Sequence, residues 1–287
     1  MSRNEGRFEA AEGIPTPEDE GSSAVAASSP GQFNWAVPTE FVELPSKGKF
    51  YPPGHVLHNV ETIEIRYMTA KEEDILSDRS LLKKGVAVDR TLENLIVDKT
   101  IKLENLLVGD KNALLIAARR TGYGDEYITK VTCPSCGEVD EFSFSLSDLG
   151  HNDFEHNLEL EEVELTSNNT FKLTLPMSKV VVECRMLTGK DESILSKKSL
   201  RQGRKNEKST ILTDTLVLMM VAINDQTDKV QLASFAHNMP ARDSRYLRAV
   251  ANRVTPNVNM ETDFQCSSCG AEAALEVPLT ADFFWPK

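Results

Sequence analysis

The chain has 287 residues, 40% of them apolar, and a formal net charge of -12. That length suits one large domain or two of ordinary size, with enough apolar residues for real cores. The acidic balance argues against the basic face of a nucleic-acid binder and the basic amphipathic helix of a membrane-surface protein, and the longest apolar stretch, residues 216–223, is far too short to span a bilayer.

Residues 1–12 contain no hydrophobic run of the secretory kind, so the chain is expected to fold in a reducing cytoplasm. There, paired cysteines argue for metal or redox chemistry rather than for disulfide staples. Residues 1–32 are rich in Glu, Ser, Ala, Gly and Pro, with one apolar cluster at Val25, Ala26 and Ala27. Such a composition buries too little surface to offset the entropy of ordering, and it predicts a disordered acidic tail. Aromatics first cluster at Phe33-Asn34-Trp35, where ordered structure is expected to begin.

The segment from Phe41 to Tyr51 predicts a short strand, a Ser46-Lys47-Gly48 turn and an aromatic strand start, broken by Pro52-Pro53-Gly54. Residues 60–68 alternate, Ile63 and Ile65 on one face and Glu64 and Arg66 on the other, as a half-buried strand does. Thr69 then stands three residues before Glu72. This is a capping box, in which the Thr hydroxyl accepts from the Glu72 N–H and the Glu carboxylate accepts from the Thr69 N–H. Further helices are predicted near residues 91–97 and from Val108 or Asp110 to Arg120, the last stopped by Gly122-Tyr123-Gly124. A strand over residues 127–132 leads into Cys133-Pro134-Ser135-Cys136-Gly137, and an alternating strand with Phe142, Phe144 and Leu146 follows.

The pattern then repeats. A shift of 119 residues lays residues 64–81 on 183–200 without a gap, with ten identities in eighteen positions. Arg66 falls on Arg185 and Thr69 on Thr188, while Asp191 stands where Glu72 does as a shorter cap. A shift of 133 lays Asp110 on Asp243, Leu114 on Leu247, Arg120 on Arg253, and both knuckle cysteines on Cys266 and Cys269. The two shifts imply a net 14-residue insertion in the second copy, expected around residues 202–208 or 225–229. The predicted fold class is α+β: two tandem related subdomains, residues 33–150 and 151–287, each a small sheet with helices.

Each copy ends in Cys-x-x-Cys-Gly. Two thiolates three residues apart on a tight turn fill two corners of a tetrahedron, and the Gly lets the turn form. The two knuckles together offer one four-thiolate site, Cys133, Cys136, Cys266 and Cys269, for a structural zinc ion. The intervening 129 residues are far more than a single zinc ribbon uses, so a shared site requires the two copies to pack together, each donating a hairpin. A thioredoxin-like redox pair, half-sites completed by other chains, and metal-free knuckles are the rival readings. The first wants a helix N-terminus after the motif, whereas these knuckles lie between strands. Cys184, aligned with Ile65, reads as a small buried apolar residue.

No catalytic constellation stands out. Gly109-Asp110-Lys111 lacks the upstream Gly and the Ser/Thr of a phosphate loop. His55 and His58 read as a solvated loop pair, and Glu72, Glu73 and Asp74 as helix-capping acids. The basic run Lys197, Lys198, Arg201, Arg204, Lys205 and Lys208 reads as a solvated loop, with a grip for an acidic partner as the alternative.

Three segments, Leu44-Pro45-Ser46-Lys47-Gly48-Lys49-Phe50-Tyr51, Met68-Thr69-Ala70-Lys71-Glu72-Glu73-Asp74-Ile75-Leu76 and Leu106-Leu107-Val108-Gly109-Asp110-Lys111-Asn112-Ala113-Leu114-Leu115, together with Arg120-Thr121-Gly122-Tyr123-Gly124 and Cys133-Pro134-Ser135-Cys136, resemble the T4-type baseplate hub protein family of contractile-tailed bacteriophages. The resemblance is clearest over residues 41–146. It implies a non-enzymatic subunit of the tail-tip hub, made in the host cytoplasm, built into the virion baseplate in several copies, and contacting other tail and baseplate proteins rather than nucleic acid or membrane. A tail-assembly chaperone that leaves before the virion is finished is the alternative it allows.

Overall fold

The fold grows from two similar local arrangements, one in each half of the chain. A computed structural model describes residues 36–161, 163–205, 208–279 and 281–284. The expected acidic tail, residues 1–32, and the aromatic cluster at Phe33 and Trp35 lie outside the described residues.

In the first half, β1 (Thr39–Glu43) pairs antiparallel with β2 (Thr62–Arg66). Ile63 and Ile65 of β2 are buried, as their alternation predicts. Phe50 and Tyr51, expected to open a strand, instead sit buried in the turns between β1 and β2. The chain bends there through positive φ at Lys47 and Gly48, which a strand cannot accommodate. Three helices follow: α1 (Ala70–Ser77), α2 (Arg79–Lys84) and α3 (Ala87–Leu95). The last begins earlier than predicted and stops before Ile96, which bridges to Ile65. The long helix α4 (Val108–Tyr123) ends at Gly124, and the hairpin of β3 (Glu126–Thr132) and β4 (Val139–Ser145) closes the half.

The second half opens with α5 (Phe154–Leu160) and a four-stranded antiparallel sheet ordered β5 (Glu164–Leu165), β6 (Phe171–Thr174), β7 (Val181–Cys184), β8 (Met220–Ile223). Between β7 and β8 run α6 (Gly189–Lys205) and α7 (Ile211–Met219). Then come α8 (Lys229–Asn238), α9 (Ala241–Val254) and the hairpin of β9 (Glu261–Gln265) with β10 (Glu272–Glu276). A 3-10 turn, Ala281–Phe284, ends the described chain.

The strand-to-helix junctions show why these elements form. Glu72 is fully buried and accepts from the Thr69 N–H at 3.0 Å, the Thr69 hydroxyl at 2.6 Å, Arg66 at 2.7 Å and Asn94 at 2.8 Å. In the second half Asp191 accepts from the Thr188 N–H and hydroxyl, each at 2.9 Å, and holds both Arg185 amino groups at 2.7 Å. The shorter carboxylate thus does the same work as the longer one. The helices beyond differ for a local reason. Asp78 accepts from the Ser80 and Leu81 N–H groups, which starts a new helix at α2. Lys197 stands in register with Asp78 and cannot accept, so α6 continues.

Burial alone would raise the Glu72 pKa, but the Thr69 donors and Arg66 outweigh it and hold it below the usual carboxylate value. A depressed folded pKa adds stability above the unfolded value, and this stability disappears as pH falls through the folded value. Thermal melts of wild type and Glu72→Gln should differ by about 2 kcal/mol at pH 7. The gap should close below about pH 4. A gap that held constant in acid would show that packing, not the ionised carboxylate, sets it.

A second pair of buried carboxylates pins each long helix to the strand turn before it. Both β1 and β6 run into a Leu-Pro turn, Leu44-Pro45 and Leu175-Pro176, followed by a lysine at positive φ, Lys47 and Lys179. Asp110 on α4 accepts from the Ser46 N–H at 3.0 Å, the Ser46 hydroxyl at 2.6 Å and the Tyr51 hydroxyl at 2.7 Å. Asp243 on α9 accepts from the Met177 and Ser178 N–H groups at 2.7 and 2.9 Å.

The core runs without interruption through residues of both halves. The seam between them is made by backbone. Val108 N–H donates to Leu187 at 3.1 Å and Gly189 N–H to Leu106 at 2.8 Å. A Cβ on Gly109 would lie 1.9 Å from the Pro256 carbonyl oxygen, so only glycine permits this approach. Lys111, nearly buried beside it, holds Asp89 at 2.7 Å and Glu192 at 2.8 Å.

Candidate metal centre

The two hairpins β3–β4 and β9–β10 carry the four cysteines at their tips. Each tip is the same turn. Cys133 N–H donates to Glu138 at 2.8 Å and Gly137 N–H returns to the Cys133 carbonyl at 2.9 Å. Cys266 N–H donates to Ala271 at 2.9 Å and Gly270 N–H to the Cys266 carbonyl at 3.0 Å. Gly137 and Gly270 take φ of +77° and +68°, a conformation that side chains disfavour.

All four sulfurs lie within 4.8 Å of one another. The close approaches cross between the hairpins: Cys133 Sγ to Cys269 Sγ, and Cys136 Sγ to Cys266 Sγ, both 3.8 Å. A disulfide would need about 2.05 Å. A tetrahedron of thiolates about 2.3 Å from a central ion has edges near 3.8 Å, the spacing of these two cross-hairpin pairs. Cys133 and Cys266 face inward and are buried, while Cys136 and Cys269 close the site from outside.

The electrostatics of the cluster suit a cation. Backbone N–H groups, the Cys136 one foremost and Ser135 second, pull the Cys133 thiol down to about 6. At Cys136 the Glu138 N–H pulls the same way, but the neighbouring sulfurs Cys133 and Cys269 outweigh it and push that thiol up to about 12. Four thiolates crowded together cannot all ionise without a positive charge among them, and a divalent ion supplies one. The four cysteines can therefore hold a metal ion.

Packing beneath the tips holds the hairpins together. Phe142 and Phe264 meet edge to face at 5.3 Å, and Ser267 on one tip bonds Asp140 on the other. Below them Arg119 donates to the carbonyls of Phe283, Gly124 and Glu126, tying the 3-10 turn to the base of β3.

All four cysteines predicted as ligands meet here. Cys184 does not join them: it is fully buried on β7, where burial pushes its thiol up, and it packs as a small apolar side chain. His55 stacks on Tyr51 at 4.7 Å, and His58 bonds the Tyr51 carbonyl at 2.7 Å. The basic run, expected as a loop, instead continues α6 to Lys205; in it Lys198 pairs with Asp214 at 2.6 Å, while Lys197 and Arg201 are exposed. The residues that sequence reasoning missed are the clamps Asp110 and Asp243, whose signal was their alignment at the 133-residue shift.

The family model described as T4 bacteriophage base plate protein matches residues 37–285. The chain belongs to this family of phage base plate proteins. The match covers both halves and both hairpins, so the cysteine cluster lies within the family region. Neither a curated protein nor a solved structure matches the chain. Among the described residues, no helix of this base plate protein is long and apolar enough to cross a membrane.

Proposed function

We propose that this base plate protein is a non-enzymatic structural part of the tail-tip hub, built from two related halves that share one zinc ion. The observation that carries the reading is the single cluster of four sulfurs drawn from hairpins 129 residues apart. An all-thiolate tetrahedron favours zinc and leaves no open position for a substrate, so bound zinc would contribute folding energy and no catalysis.

Duplication of residues 33–150 as 151–287 is supported by three paired arrangements. These are Arg66-Thr69-Glu72 with Arg185-Thr188-Asp191, the Asp110 clamp with the Asp243 clamp, and the two cysteine turns. Partners are other tail and baseplate proteins, met in several copies within one assembly. A rigid scaffold with charged surfaces and a metal staple suits that place.

Quantitative mass spectrometry of purified phage particles beside infected-cell lysate tests the reading. A fixed copy number relative to the tail tube protein is the expected result. Abundance in lysate with absence from particles would instead identify an assembly chaperone for the hub.

A further inference from the structure

The second half carries two charge patches that the first half lacks. Along α9, Arg242, Arg245 and Arg248 follow one another at three-residue steps, the first two exposed and the third half-buried. Arg242 donates to the Met177 sulfur at 3.8 Å, and Arg248 to the Ser244 carbonyl of its own helix at 3.2 Å. Arg253 of the same helix pairs with Glu161, but among the described residues none of these three has a carboxylate within ion-pair distance. The 133-residue shift lays Arg242 and Arg245 on Gly109 and Asn112 of α4. Those two positions are covered: Gly109 meets Pro256, and Asn112 bonds Asn257 at 3.2 Å. A helix row that is a contact surface in one half is an exposed arginine row in the other.

The hairpin β9–β10 turns four exposed carboxylates outward, Glu261, Asp263, Glu272 and Glu276, while Phe264 is buried on its inner face. The ladder sets Glu261 directly opposite Glu276. Like charges so placed destabilise a ribbon, and among the described residues no lysine or arginine lies within ion-pair distance of either. On the first hairpin the outward pair Lys130 and Glu141 is of opposite sign. The arginine row and the acidic ribbon meet at one cleft of about 470 Å³, lined by Arg248 together with Glu261 and Glu276. Thr215 and Met219 of α7 line it as well, and Leu212, which precedes them on the same helix row, is 59% exposed.

We propose that this face binds a second copy of the chain about a two-fold axis through the cleft, the arginine row of each copy lying on the acidic ribbon of the other. An occupant of the face must present acid where the chain presents arginine, and arginine where it presents acid. A surface that carries both beside one cleft meets that demand in itself when turned through half a circle. Leu212 adds apolar surface next to the charges. The proposal concerns copies of this chain, and it rests neither on the metal nor on a place in the hub.

Sedimentation velocity of the full-length protein tests it. At about 50 mM salt the chain should exchange between monomer and dimer at micromolar concentration, and at about 500 mM salt the dimer should weaken about tenfold or more, because screening acts on exposed charges. Arg245→Glu and Glu276→Arg each set like charges across the contact, and each alone should be monomeric. Mixed one to one they should dimerise again, since every contact between the two variants is then of opposite sign. Both positions are exposed, so melting should match wild type. Arg245→Ala, which only removes a charge, should weaken the dimer about tenfold and keeps the test open if a reversed charge disturbs the fold. A wild-type chain that stays monomeric up to about 100 µM at low salt would overturn the proposal. A dimer that neither salt nor these variants alter would also overturn it, as would a ring or an open chain of copies, which only a head-to-tail contact builds.

Discussion

Cys133→Ser should abolish metal binding by the whole chain and destabilise both halves in one transition. Three thiolates would not close a tetrahedron around a bound ion, and the two hairpin tips, whose sulfurs approach to 3.8 Å, would no longer share one. If the metal is held about 1,000-fold below its free concentration, its loss costs about 4 kcal/mol. Cys266→Ser on the opposite hairpin should give the same loss, and the double variant little more, because either change already removes the ion. Thermal melting with metal analysis of the three variants checks this. Retention of full stability and metal by the second half in Cys133→Ser would show separate sites and end the shared-centre account.

Asp110→Ala should be the most damaging change outside the metal centre. It leaves the Ser46 N–H, the Ser46 hydroxyl and the Tyr51 hydroxyl without their acceptor in a site closed to water. Tyr51 also accepts from the Leu107 N–H at 3.0 Å, so the disturbance reaches the start of α4 and the seam between the halves. The cost should be roughly 3–5 kcal/mol in denaturant unfolding. Burial, the largest influence on Asp110, raises its pKa despite the three donors. A raised folded pKa adds stability below the unfolded value, 3.8, and loses it as pH rises through the folded value. The advantage of wild type over Asp110→Asn should therefore shrink on going from acid to neutral pH. An advantage that grew over that range would contradict the assignment of burial as the dominant influence.

What the sequence disclosed and what it hid follow the range of the interactions. The junction at Thr69 and Glu72 is encoded within four residues, so it was legible, and Thr188 with Asp191 followed from the repeat. The cysteine turns are equally local, and two half-sites of a four-ligand ion point to each other across any length of chain. The clamp at Asp110 was not legible because Ser46 lies 64 residues away and no local pattern names it. Phe50 and Tyr51 looked like a strand because aromatics favour strands, but the positive φ at Lys47 and Gly48 and the bond to Asp110 hold them in a turn. The break between α1 and α2 was missed, although Asp78, which caps the Ser80 and Leu81 N–H groups, carries its signal. The β5 neighbour of β6 could not be read at all: a two-residue strand has no period.

The most direct test of the shared staple is native mass spectrometry of the full-length protein purified without added chelator. One zinc ion per chain, released in a single step when a chelator is added, is the predicted result. Two ions per chain, or a chain isolated with all four thiols free and no metal, would contradict it.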